Sequence, residues 1–158
     1  MAATNYSPEI AAQIEDYFKS KGWSFDPVDE NGIIRAGMGL RSKLRSCRLF
    51  IFVKNDGFCV NSALLLRVEE AEREAVMEYI TRANFGLTYG NFEMGVDDGD
   101  VRFKTCLFCG DTVPSLNQIE HTITTNILLL ERYGDGLAKL IFGFGNVKEA
   151  IEEAEGTK

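Results

Sequence analysis

A single histidine, His121, is all the imidazole this chain offers. No histidine-based triad and no site with several histidine ligands can assemble within one copy. Proline is almost as scarce, with three in 158 residues, and there is no Pro, Gln or Ser bias of the kind that keeps a polypeptide unfolded. Four cysteines are too few for a disulfide framework at this length. No secretory leader is expected either, because Met1 to Ile10 has neither a basic n-region nor an apolar h-region. That predicts a cytoplasmic protein, a compartment that keeps thiols reduced, and so no disulfide bond. The most apolar stretch, Ile127 to Phe144, is broken by Glu131, Arg132, Asp135 and Lys139, each costly at the centre of a bilayer. No membrane partner is expected.

What is present is ordinary globular material, 45% hydrophobic and 26% charged. A domain of this length buries about 70% of the surface its unfolded chain exposes, which predicts a single domain over residues 1–158 with one packed core. The formal net charge of −7 repels a phosphate backbone at long range, so nucleic acid is not an expected partner and another protein is. Arg41, Lys43, Arg45 and Arg48 run against that balance. A solvated loop offsetting the surrounding acids is the plainer reading of these four; a site for an acidic partner or an anion is the sharper one.

Helix and strand periods alternate along the chain. Ser7, Pro8 and Glu9 open a helix with a cap, a residue suited to the first turn and an acid at the dipole's positive end. Ile10, Ala11, Ile14, Tyr17 and Phe18 give it one apolar face, and Gly22 closes it. Two extended runs between Trp23 and Leu40 flank Asn31 and Gly32, a hairpin dipeptide. Leu49 to Val53 is apolar at every position, as in a strand covered on both faces, and Asp56 and Gly57 turn it into a further strand from Phe58 to Leu66. Val68, Ala71, Ala75, Val76, Tyr79 and Ile80 return to helical spacing. Phe92 to Val96 and Val101 to Leu107 alternate around Asp98 and Gly99; a two-residue turn there sets Met94 against Phe103 and Glu93 against Lys104. After Pro114 a helix runs from about Ser115 to Tyr133, with Gly134 and Gly136 predicting an interruption or kink, and Asn146 caps a last short helix. The order α-β-β-β-β-α-β-β-α-α predicts an α+β fold, an antiparallel sheet with helices packed against it.

Few residues carry chemistry. Cys106 and Cys109 have the spacing of half a zinc knuckle, but no second pair completes four ligands, and on a strand the two point to opposite faces. They read as small apolar strand residues, and no metal is expected. Asp97, Asp98 and Asp100 lack the later bidentate Glu of a calcium loop. Gly37, Met38, Gly39 and Gly143, Phe144, Gly145 lack the Lys-Ser/Thr signature of a phosphate loop. His121 reads as a helix residue facing solvent or partly buried. No cofactor and no catalytic site are expected.

Within Ile80 to Val101 the chain passes from Asn84 through Gly90, Asn91 and Phe92 into Glu93, Met94, Gly95, Val96, Asp97, Asp98, Gly99, Asp100 and Val101. A helix ending in an Asn-rich corner, a Gly-x-Phe strand and an acidic hairpin leading to a basic-apolar strand resemble the YbjN family of bacterial proteins. Its fold is similar to that of type III secretion chaperones. Tyr133 to Gly136, Leu137 to Gly143 and the short helix with Glu149, Ala150 and Ile151 fit the same pattern, so the resemblance covers most of the chain. It implies a bacterial cytoplasmic protein with a regulatory or sensory role, no defined reaction, and no catalytic residues to carry over. The four cysteines and the basic segment depart from that pattern. The expectation is therefore a non-enzymatic regulator that binds a protein partner through its sheet face or the grooves beside its helices. The alternatives are an escort chaperone for a secreted or partner protein, which a homodimer with paired grooves would favour, and an anion or small-molecule sensor using the basic segment.

Overall fold

The computed structural model describes residues 4–156. Helix α1 (Pro8–Ser20) starts where the sequence places it: Ser7 Oγ accepts from the Ile10 amide at 3.2 Å, and proline sits in the first turn. Three strands follow, β1 (Ile33–Gly39), β2 (Ser46–Val53) and β3 (Gly57–Leu64), then α2 (Arg73–Phe85), β4 (Asn91–Met94), β5 (Val101–Phe108), α3 (Leu116–Ile141) and α4 (Val147–Glu155). The element order is the expected one, with the first of the four early extended runs reduced to one bridge, Asp26 to Arg35, along the β1 edge. All pairings are antiparallel and the sheet order is β1-β2-β3-β5-β4. This is an α+β arrangement of one five-stranded sheet and four helices.

The helices lie against one face of the sheet. Ile10, Ile14 and Phe18 of α1 pack with Ile34, Leu49, Ile51, Val60 and the first half of α3, at Ile119 and Ile123. Val76, Tyr79 and Ile80 of α2 pack with Phe92, Val101, Phe103 and the second half of α3, from Leu130 to Ile141, which α4 also joins through Ala150. Met38 and Ile127 touch both clusters and make them one layer.

Two expectations are corrected here. First, α3 runs without a break through Gly134 and Gly136. These glycines serve close approach: a Cβ at Gly134 would enter Ser42 of the β1–β2 turn, and one at Gly136 would enter the Tyr79 ring and hydroxyl. Second, the β4–β5 register is shifted by two residues, pairing Met94 with Val101 and Glu93 with Arg102. A two-residue turn is set aside because the loop folds back on the segment before α2. Val68 donates its amide to Gly99 O at 2.8 Å, Arg73 donates to Val96 O and Asp97 O at 3.2 and 3.1 Å, and Gly99 turns with φ +73°. A shift of two keeps every side chain on its expected face.

The layer between sheet and helices contains one polar knot. Asn126 of α3, fully buried, accepts from Ser62 Oγ and donates to Val60 O, Phe103 O and Thr105 Oγ1 at 3.0, 3.1 and 3.2 Å. Thr105 Oγ1 in turn donates to Thr122 O at 2.9 Å. Buried polar groups are tolerated when satisfied in this way, and the network fixes the register of α3 on β3 and β5.

Candidate functional site

Among the described residues no helix lies on the other face of the sheet. Strand alternation puts Arg35 and Gly37 of β1, Arg48 and Phe50 of β2, Asn61 and Ala63 of β3, Arg102 and Lys104 of β5 and Glu93 of β4 on it. β2 was expected to be covered on both faces; instead Leu49, Ile51 and Val53 are buried while Phe50 and Phe52 stay half-buried and Arg48 exposed. Among the described residues no helix crosses to that side, and the phenylalanine rings are its bulkiest apolar groups on β2.

Two neighbouring rows of the register define the site. In one, Gly37, Arg48, Ala63, Arg102 and Glu93 lie side by side; in the next, Arg35, Phe50, Asn61, Lys104 and Asn91 do. Most of the cations are neutralised in place. Arg35 Nη1 donates to Asp29 Oδ2 at 2.6 Å, and Glu93 receives Arg102 Nε at 2.7 Å and Lys104 Nζ at 2.6 Å. Burial raises the Glu93 pKa, but the hydrogen bonds from Lys104 and Arg102 outweigh it and hold the carboxyl below its usual range. The Arg35 hydrogen bond, with the Ile33 and Asn31 amides, does the same for Asp29.

Arg48 differs. Among the described residues it has no ion pair, and its neighbours in the row, Gly37 and Ala63, are both small. Hollows open on both sides of it. One of about 580 Å³ is lined by Asp26, Arg35, Gly37, Arg48 and Phe50, and one of about 330 Å³ by Arg48, Phe50, Ala63, Arg67 and Asp100. Arg48 and Phe50 form the wall between them. Asn61, 6% exposed, follows Phe50 in its row, and its Oδ1 has no hydrogen-bond partner among the described residues.

The four basic residues singled out from the sequence do not form one site. Arg41, Lys43 and Arg45 occupy the β1–β2 turn, whose backbone is already engaged: the Arg41 amide donates to Glu131 Oε1 at 2.9 Å and the Lys43 amide to Asp135 Oδ1 at 2.7 Å. Those two amides are therefore capped by carboxylates of α3, while the side chains of Arg41, Lys43 and Arg45 are exposed. Arg48, three residues further on, faces out from the sheet. His121 is exposed and packs edge-on with Tyr89, with ring centres 5.2 Å apart. Among the described residues no group of three or more His, Cys, Asp or Glu is placed to hold a metal ion, and no helix is long and apolar enough to cross a membrane. A shallower groove of about 350 Å³ lies between the α2–β4 turn and α3, lined by Leu87, Tyr89, Leu128 and Leu129.

The sequence pattern of a family described as "YbjN: Putative bacterial sensory transduction regulator" matches residues 11–139. The chain belongs to the YbjN family. A solved structure described as "Crystal structure of YbjN, a putative transcription regulator from E. coli" has the same fold: TM-score 0.52 at 11% identity, covering 78% of this chain and 92% of that one. No curated protein matches. The YbjN match spans the sheet and most of α3, so the open face lies inside the family's common fold rather than in an appendage. Sequence reading expected a partner on the sheet face and singled out Arg48, Glu93 and Lys104, but did not place Arg35, Phe50, Asn61 or Arg102 there. The available signal was the composition of β2, where the outward set Arg48, Phe50, Phe52 is bulkier and more polar than the inward set Leu49, Ile51, Val53.

Proposed function

We propose that this YbjN-family regulator works without catalysis, by receiving an acidic-apolar segment of a partner protein on the open face of its sheet. The observation that carries this is Arg48, unpaired between Gly37 and Ala63 and backed by Phe50. A guanidinium in that setting presents a planar fork to one carboxylate. The half-buried rings of Phe50 and Phe52 suit apolar side chains on either side of that acid. Asp26 and Asp100 at the rims of the two hollows disfavour a run of acids, so the segment is one carboxylate among apolar residues rather than an acidic tail. A regulator of this kind needs no reactive group, and selectivity comes from charge placement and shape.

The test is capture of partners from lysate of the source bacterium with tagged wild-type, Arg48→Glu and Arg41→Glu baits, followed by lysine cross-linking and mass spectrometry. A stoichiometric partner cross-linked at Lys104, lost with Arg48→Glu and retained with Arg41→Glu, is the expected result. Retention by Arg48→Glu, or cross-links clustered at the groove beside α3, would overturn it.

A further inference from the structure

The cysteines are the reactive side chains that the proposed binding mode leaves unused. Cys59 of β3 and Cys106 of β5 stand directly opposite each other in the antiparallel register, with Cα atoms 4.1 Å apart, and the structure joins their sulfurs. This corrects the expectation of no disulfide. The two are 47 residues apart in sequence, and only the β3–β5 pairing brings them together. The short separation is that of a pair without mutual backbone hydrogen bonds, where facing side chains come nearest.

Accessibility follows from the sheet's outline. β4 ends at Asn91, opposite Lys104, so beyond that point β5 has no strand on its outer side. Cys106 lies there, exposed, with Cys59 half-buried beside it. The other two cysteines are set apart. Cys47 is buried among the helices, where burial pushes its thiol up to about 11. Cys109 packs with the cluster on the helix side and donates its thiol to Asp56 O at 3.4 Å. A buried disulfide is shielded from thiols, whereas an exposed one is open to in-line attack, and exposed disulfides are the labile ones.

We propose that Cys59 and Cys106 form a reversible dithiol–disulfide site that exchanges with low-molecular-weight disulfides of the glutathione type. In the oxidising direction the Cys106 thiolate attacks one sulfur of the small disulfide, forming a mixed disulfide and releasing one small thiolate. Cys59 then gives up its proton and attacks the Cys106 sulfur, expelling the second small thiolate. Two electrons pass from the two cysteines to the small disulfide, which leaves as two thiols carrying the two cysteine protons. Reduction is the same path reversed, with a small thiolate attacking exposed Cys106 and Cys59 leaving.

The folded protein is equilibrated with graded mixtures of reduced and oxidised glutathione, quenched with acid, alkylated in denaturant and weighed, with circular dichroism confirming the fold. Of the four cysteines, two should be alkylated at the oxidising end and all four at the reducing end, with a transition between and peptide mapping linking Cys59 to Cys106. Cys106→Ser should abolish the transition and Cys109→Ser should leave it in place. In Cys59→Ser, where the second step cannot occur, a single glutathione should be trapped on Cys106. Four alkylated cysteines in every mixture, two in every mixture, or a transition that survives Cys106→Ser would each overturn the proposal.

Discussion

Along β2, Leu49, Ile51 and Val53 disappear beneath α1 and α3, while Arg48, Phe50 and Phe52 of the same strand meet no helix. The same contrast runs across all five strands. On the helix side, Asn126 and its partners satisfy one another; on the open side, Arg35, Arg102 and Lys104 are paired with carboxylates, while Arg48 has no ion pair among the described residues. What separates the two faces is what a side chain is required to do. The covered face must fill volume, and the open face must stay soluble while leaving room at Gly37 and Ala63.

The sharpest way to test that division is to remove one ring from each face. Phe103→Ala empties a fully buried position and should lower the unfolding free energy by about 3–5 kcal/mol. Phe50→Ala, half-buried and facing solvent, should cost about 1 kcal/mol. Urea denaturation of both variants gives the comparison directly. Similar losses would mean that the outer face is covered in solution, by a second copy of the chain or another partner.

A substitution at Gly136 tests a sign. Were this glycine an interruption of α3, alanine there would stabilise the helix by up to about 1 kcal/mol. The structure demands the opposite, because the added methyl enters the Tyr79 side chain, whose hydroxyl donates to Tyr133 O at 2.9 Å and is not free to yield. Gly136→Ala should therefore lose about 1–3 kcal/mol, the usual range for overpacking, and a rise in Tm would refute this account.

The glycines show where sequence reading runs out. Helix starts at Ser7, Ser115 and Asn146 are legible because cap chemistry is local. So are the strands, whose facing set by alternation survived a two-residue error in the β4–β5 register. The shape of that loop was not legible, since Val68 and Arg73, more than twenty residues upstream, decide it. Gly134 and Gly136 look the same in sequence whether they break a helix or let one pass close to a neighbour. The Asn126 knot and the Cys59–Cys106 pair are long-range in the same sense. For the site, the basic run from Arg41 to Arg48 is divided between a turn and a strand, and only Arg48 lies on the open face of the sheet.

Titration of Glu93 tests a paired charge on the face that carries the unpaired Arg48. Its folded pKa lies below the unfolded value, so it adds stability above the ordinary carboxylate pKa of about 4.3, and that stability is lost as pH falls through the lower, folded value. About a third of the side chain is exposed, so screening limits the contribution to about 1 kcal/mol at neutral pH. The stability difference between wild type and Glu93→Gln should therefore be present at pH 7 and shrink towards zero in acid. A difference that grows on acidification would mean that burial, not the two cations, dominates at this carboxyl.

The smallest expected effects on stability belong to Gly37 and Arg48, and they are the most informative about function. An added Cβ at Gly37 meets nothing within 4 Å, and the backbone is ordinary strand. Gly37→Leu therefore removes the conformational entropy penalty of a strand glycine, and stability should stay level or rise by about 0.5–1 kcal/mol. Yet the leucine side chain would occupy the hollow beside Arg48 and cover one flank of the guanidinium. Loss of partner capture by a variant at least as stable as wild type cannot be ascribed to unfolding. Arg48→Ala should match it, with stability changed by no more than about 0.5 kcal/mol. Undiminished capture by Gly37→Leu would move the partner off this face altogether and leave the groove beside α3 as the surface to probe.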